Sequence, residues 1–163
     1  MAKNRTFTTH IDIAAPARDQ LIALINQQLA DTFDLLSQVK QAHWNVKGPQ
    51  FIALHELFDD LAANLLDHVD TIAERAVILG GQALGTARMA AAASRLPEYP
   101  AEITDGMQHV ANLVARYAKV GATTRQAITT ATELNDADTA DMFTQVSRDL
   151  DKYLWFLEAH IQA

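Results

Sequence analysis

Cysteine is absent from all 163 residues. That excludes disulfides, thiolate metal ligands and thiol nucleophiles, and it suits a cytoplasmic setting. Long hydrophobic runs are absent too. No segment approaches the roughly 18 apolar residues of a membrane span, so no membrane role is expected. The start, Met1 to Ile13, is polar and lacks the apolar stretch of a secretory leader. Positive charge is scarce: 13 Lys and Arg against 20 Asp and Glu leave a net charge of −7. A negative body repels nucleic-acid phosphates and attracts metal cations. Strand alternation, internal repeats and low-complexity segments are also missing. With 49% hydrophobic residues, one domain can bury a core of ordinary size.

What is present is helical periodicity. Residues 1–15 read as a flexible arm with Lys3, Arg5 and His10, partly ordered by Phe7, Ile11 and Ile13. Residues 16–163 read as the folded domain. Pro16 suits a first helical turn. Leu21, Ile25, Leu29, Thr32, Leu36, Val39, His43 and Val46 then recur at three- and four-residue steps. Gly48-Pro49 breaks this helix. A second runs from about Gln50 to Leu79 and stops at Gly80-Gly81. Gly80 to Ala101 is too long for a hairpin and carries a short helix within Thr86 to Ala93. A helix of 30 residues is about 45 Å long, and a connection of this length can cross it. The third helix (about Glu102 to Thr130) then runs parallel to the second, and a fourth spans about Asp136 to His160. This is a four-helix bundle with a long crossover, as in ferritin-like folds.

The stretch from His43 to Glu74 carries the chemistry. At about 100° per residue, His55, Asp59, Asp70 and Glu74 fall within a stripe about 100° wide on the second helix. Ile52, Ala62, Leu66, Ala73 and Val77 share that stripe, and the spacing predicts a buried seam. Ionisable groups on an apolar stripe need compensation, and a metal bound by imidazole and carboxylate supplies it. Asp59 and Asp70 are about 16 Å apart along the axis, too far for one metal to use both from one chain. His43 and His55 flank the turn and come level in a hairpin. His43, His55 and Asp59 therefore form one half-site, and Asp70 with Glu74 form another. Two antiparallel copies of the helix, related by a two-fold axis near Asn64 and Leu65, bring the halves together twice.

The residues H-W-N-V-K-G-P-Q-F-I-A-L-H-E-L-F-D, continued by D-H-V-D-T-I-A-E-R-A and G-G-Q-A-L-G-T, resemble the Dps family of ferritin-like DNA-protection-during-starvation proteins. The resemblance covers nearly the whole chain and weakens before Asp19. It implies an all-α, ferritin-like four-helix bundle assembled as a hollow dodecamer, with ferroxidase centres at two-fold interfaces. It also implies that His43, His55, Asp59, Asp70 and Glu74 are the iron ligands and catalytic residues, with hydrogen peroxide as oxidant and ferric iron as the stored product. The expected location is the cytoplasm, in part at the nucleoid.

Several readings stay open. A lone His43 reads as a core histidine; five metal-type residues in register read as a metal site. His and carboxylate also bind zinc, so a non-redox metal store is a rival. Trp44 fits packing at the interface or a redox role that quenches one-electron oxidants. Glu133, Asp136, Asp138 and Asp141 fit helix capping, and three copies of Asp136, Asp138 and Asp141 about a three-fold axis would make a cation pore. Lys3 and Arg5 are candidate DNA contacts, sparse in one arm but multiplied across twelve, so a DNA-compacting nucleoid protein is the other rival. His68, about 220° from His55, reads as non-ligating, and Trp155 as packing.

Overall fold

The computed structural model describes residues 5–162 as five helices: α1 (Ala15–Asn45), α2 (Phe51–Ile78), α3 (Ala87–Ala93), α4 (Gly106–Glu133) and α5 (Ala137–Glu158). Among the described residues no strand forms, and no helix is long and apolar enough to cross a membrane.

Each helix starts where a local signal places it. Pro16 occupies the first turn of α1. Thr86, Asp105 and Asp136 cap α3, α4 and α5 through side chains that accept from Met89, Gln108 and Thr139 backbone N–H groups. The Asp105 cap explains why α4 starts four residues later than Glu102. Residues 101–105 form a turn instead, and Lys47 N–H donates to the Thr104 carbonyl at 2.8 Å.

The core is one cluster. Leu21, Ile25, Leu29, Leu35 and Val39 of α1 meet Phe58, Leu61 and Leu65 of α2, Tyr117 of α4 and Phe143 of α5. Cross-links set the directions. Gln28 reaches the Thr123 carbonyl while Gln38 meets Arg116, so α4 runs against α1. Asn64 meets Asp149 and Arg75 meets Asp136, so α5 runs against α2. With α1 and α2 joined by a short turn, α2 and α4 are parallel, as the long crossover requires.

The described part of the arm touches the bundle. Phe7 N–H donates to the Gly80 carbonyl at 2.7 Å, and Ile11 and Ile13 pack on the core. Gly80 adopts a φ of +85°, and a Cβ there would lie 2.6 Å from the Phe7 carbonyl oxygen. Glycine is what lets the strap close against the end of α2. The segment from Phe7 onward is thus seated on the bundle.

Candidate metal centre

The end of α1 and the start of α2 lie side by side across the Lys47–Gln50 turn. His43 and His55 stack, with ring centroids 3.8 Å apart and planes 20° apart. Their hydrogen bonds are reciprocal. His43 Nδ1 lies 2.9 Å from the His55 carbonyl oxygen, and His55 Nδ1 lies 3.0 Å from the His43 carbonyl oxygen. A carbonyl only accepts, so both Nδ1 atoms carry the proton and donate it. Both Nε2 atoms are left with a lone pair. This is the arrangement in which a backbone carbonyl fixes tautomer and ring orientation of a metal-binding histidine.

Asp59, one turn after His55, brings its Oδ1 within 3.9 Å of His43 Nε2. The same oxygen accepts from Lys40 Nζ at 2.8 Å. That hydrogen bond, with the nearby Lys40 charge, holds the Asp59 carboxyl below its ordinary 3.8 against the opposing effect of burial. A lysine ammonium therefore rests on the carboxylate where a metal cation would be held.

Asp70 and Glu74 are exposed on the far half of α2. They do not approach the histidines, and among the described residues no three His, Asp or Glu side chains are placed to hold a metal ion within one chain. The seam is not buried in a single chain: Ile52, Leu66 and Val77 are 60%, 56% and 56% exposed. The stripe faces out of the bundle, because α2 turns Leu54, Phe58, Leu61 and Leu65 toward the core instead.

The other candidates separate. Asp136 is buried and committed. It caps α5 through Thr139, accepts from Arg75 Nη2 at 2.7 Å, and is not a free pore carboxylate. Asp138 and Asp141 are exposed. Trp44 projects outward at 66% exposure, with Lys40 Nζ 5.8 Å from its ring centroid. Trp155 is also exposed and lies 5.0 Å from Phe156 between ring centroids. Arg5 sits 5.2 Å over Phe7, and Lys3 lies outside the described residues. His68 is buried, its Nε2 3.1 Å from Asp149 Oδ2. Burial pushes its pKa below 6.5 while Asp149 pulls the other way. Sequence periodicity missed Lys40, whose position one turn before Trp44 and His43 gives the only hint of its role.

A four-helix bundle with a long crossover connection is the architecture of the ferritin-like class. The sequence profile of the ferritin-like domain matches residues 22–163. The chain is 48% identical to the "DNA protection during starvation protein" of Agrobacterium fabrum over 158 residues, 97% of this chain and 98% of the relative. It is 35% identical to the protein of that name from Brevibacillus brevis over 88% of this chain and 96% of the relative. Among solved structures, DpsA14 from Streptomyces coelicolor superposes with a TM-score of 0.92 at 33% identity over 97% of this chain and 94% of that one. The tetragonal form of Mycobacterium smegmatis Dps gives 0.93 at 29% identity over 98% and 96%. The chain belongs to the Dps family of ferritin-like proteins.

Proposed function

We propose that the protein is a cytoplasmic ferroxidase and iron store that oxidises Fe²⁺ with hydrogen peroxide at sites shared between subunits and holds the ferric product in a twelve-subunit shell. One observation carries the reading: the reciprocal Nδ1–carbonyl bonds of His43 and His55, which fix two Nε2 lone pairs, that of His43 3.9 Å from Asp59 Oδ1. Neutral imidazoles held this way suit a borderline divalent cation, and the carboxylate adds charge.

The half-site has two donors and one carboxylate, too few for a stable site. The exposed apolar stripe of Ile52, Leu66 and Val77 runs along the same face as Asp59, Asp70 and Glu74. A second copy packed antiparallel buries that stripe and carries its own Asp70 and Glu74 to each histidine pair. Fe²⁺ enters as substrate and displaces Lys40 from Asp59. Peroxide takes one electron from each of two Fe²⁺ ions, its O–O bond breaks, and two protons complete two waters. Because both electrons arrive together, no hydroxyl radical is released, and DNA is spared without being bound. The net charge of −7 fits this better than direct binding of phosphates. Exposed Asp138 and Asp141 serve as cation guides at the pores, and Zn²⁺ competes for the site without turning over.

The test is anaerobic loading with Fe²⁺ followed by peroxide, read as ferric absorbance and as Fe²⁺ consumed per peroxide. Two Fe²⁺ per peroxide are expected, with at least about a hundredfold slower oxidation in the His43→Ala, His55→Ala variant. Oxidation by that variant at the wild-type rate would sink the reading. Metal binding without oxidation would leave a zinc-type store in its place.

A further inference from the structure

A cleft of about 480 Å³ opens between α2 and α5, on the side of α2 away from the outward stripe. Asn64 and His68 line it from α2, one turn apart, and Gln145 and Asp149 line it from α5, also one turn apart. Because the helices are antiparallel, the two pairs face each other. Three nitrogens converge on one oxygen. Asp149 Oδ2 lies 3.1 Å from His68 Nε2, 3.1 Å from Gln145 Nε2 and 3.5 Å from Asn64 Nδ2. His68 is 7% exposed, and its Nε2 is buried with no hydrogen-bond partner, because Asp149 Oδ2, although near, stands off the line of an N–H. A buried imidazole nitrogen beside a carboxylate oxygen, with no proton directed between them, is incompletely satisfied.

We propose that His68, Asp149, Asn64 and Gln145 form a second metal site, contained within one chain, for a divalent transition-metal ion that accepts nitrogen and oxygen ligands. The spacing is that of ligands sharing an ion. Two atoms each about 2.1 Å from one metal, at tetrahedral or octahedral angles, stand about 3.0–3.4 Å apart. The His68 Nε2 to Asp149 Oδ2 separation of 3.1 Å falls in that range. An ion between them takes the imidazole lone pair and the carboxylate charge together. Asn64 and Gln145 present amide nitrogens to Asp149 without the ion. A half-turn of each amide presents its oxygen to the ion instead. The two amides complete what His68 and Asp149 begin, so no third His, Asp or Glu is needed. Water from the open cleft fills any position left.

Nearby charge favours a cation. Exposed Asp67, Asp138 and Asp141 line the same cleft, and with Asp149 they focus negative potential on it. Among the described residues, no Lys or Arg lines the cleft, and Arg75 reaches Asp138 only at 3.9 Å. The half-site on the stripe differs, because there Lys40 rests on Asp59. The imidazole sets the class of ion: Mg²⁺ and Ca²⁺ prefer oxygen ligands throughout, whereas Fe²⁺, Co²⁺ and Zn²⁺ accept nitrogen. The place of His68, about 220° around α2 from His55, excludes it from the stripe's site but not from one of its own. An ion here ties α2 to α5 and needs no second copy of the chain, so the site rests on no part of the ferroxidase reading.

The test uses the full-length protein stripped of metal, with His43→Ala and His55→Ala in place to silence the stripe. Co²⁺ alone is the probe, because its visible absorption reports nitrogen and oxygen ligation. One Co²⁺ per chain is expected at neutral pH, and a large excess of Mg²⁺ should leave it bound. His68→Gln should abolish the absorption. Asp149→Asn, which keeps the shape of the side chain, should weaken binding by at least about tenfold, the loss that even a partner behind the ligands causes. It answers the question even where His68→Gln does not fold. A stripe-silenced protein that binds no Co²⁺ would overturn the site, and so would binding unchanged in Asp149→Asn. Displacement by Mg²⁺ would overturn it too, since that marks carboxylates gathering any cation. With the stripe's histidines absent, none of these outcomes depends on whether the protein is a ferroxidase.

Discussion

Asp59 shows how one side chain serves two states. In the iron-free chain it is paired with Lys40 at 2.8 Å, and both groups retain substantial solvent access. An exposed pair of this kind is worth about 0–1 kcal/mol, small enough for a divalent cation to break. Lys40→Gln removes the competitor and a like charge near the incoming metal. The first Fe²⁺ should then bind up to about fivefold more tightly, the factor that 1 kcal/mol allows. Anaerobic titration calorimetry measures this, and weaker binding in Lys40→Gln would show instead that the lysine helps to build the site. Residues of this sort divide by legibility. His43, His55 and Asp59 were readable because their chemistry repeats at helical spacing. Lys40 was not, since one lysine on a helix reads as solvated until its ammonium is seen on a particular oxygen. The His68–Asp149 pair was likewise invisible, because it joins two helices and follows no period along either.

Among the helices, periodicity fixed existence and order while side-chain caps fixed the ends. Asp105 moves the start of α4 past the turn at residues 101–105, and Asp136 starts α5 while holding Arg75. The sequence allowed Asp136 to be a pore ligand or a cap, and the difference is one of burial, which composition does not reveal. Phe7 read as an ordering residue of the arm, but its docking place was hidden for a related reason: it depends on the left-handed turn at Gly80, a backbone property. Burial alone would raise the Asp136 carboxyl, but its two hydrogen bonds from Thr139 and its pairing with Arg75 outweigh that and hold it below 3.8. The folded value lies under the unfolded one, so the unfolded chain takes up the proton first as pH falls. The stabilisation is therefore complete above about 4 and drains away as pH drops through the folded value. Asp136→Ala also strands a largely buried guanidinium and should cost about 2–4 kcal/mol. Asp136→Asn keeps a cap acceptor and should cost less while flattening the acid limb. Thermal unfolding against pH, at fixed protomer concentration, separates these effects. An unchanged midpoint in Asp136→Ala would mean that the cap and the ion pair are energetically idle.

At the scale of the whole molecule, the proposed function gives one chain half of each site. The histidines and Asp59 stand at one end of an outward apolar stripe and Asp70 with Glu74 at the other, and an antiparallel copy is what would bring the halves within ligand distance. Complementation tests this directly. One variant lacks His43 and His55; another lacks Asp70 and Glu74. Each alone leaves every interface site without half its ligands and should be nearly inactive. The two are then unfolded, mixed equally and reassembled. In a mixed pair, one site draws its histidines from the carboxylate variant and its Asp70 and Glu74 from the histidine variant, and is whole. The other keeps only Asp59. Random pairing makes about half of the interfaces mixed, so about a quarter of all sites should regain peroxide-driven Fe²⁺ oxidation. A site built within one chain has no route to recovery, because no chain in the mixture carries both halves. Mass spectrometry of isotope-labelled variants establishes co-assembly. Activity near a quarter then requires sharing between subunits, and no activity in a demonstrably mixed assembly would remove the two-fold site altogether.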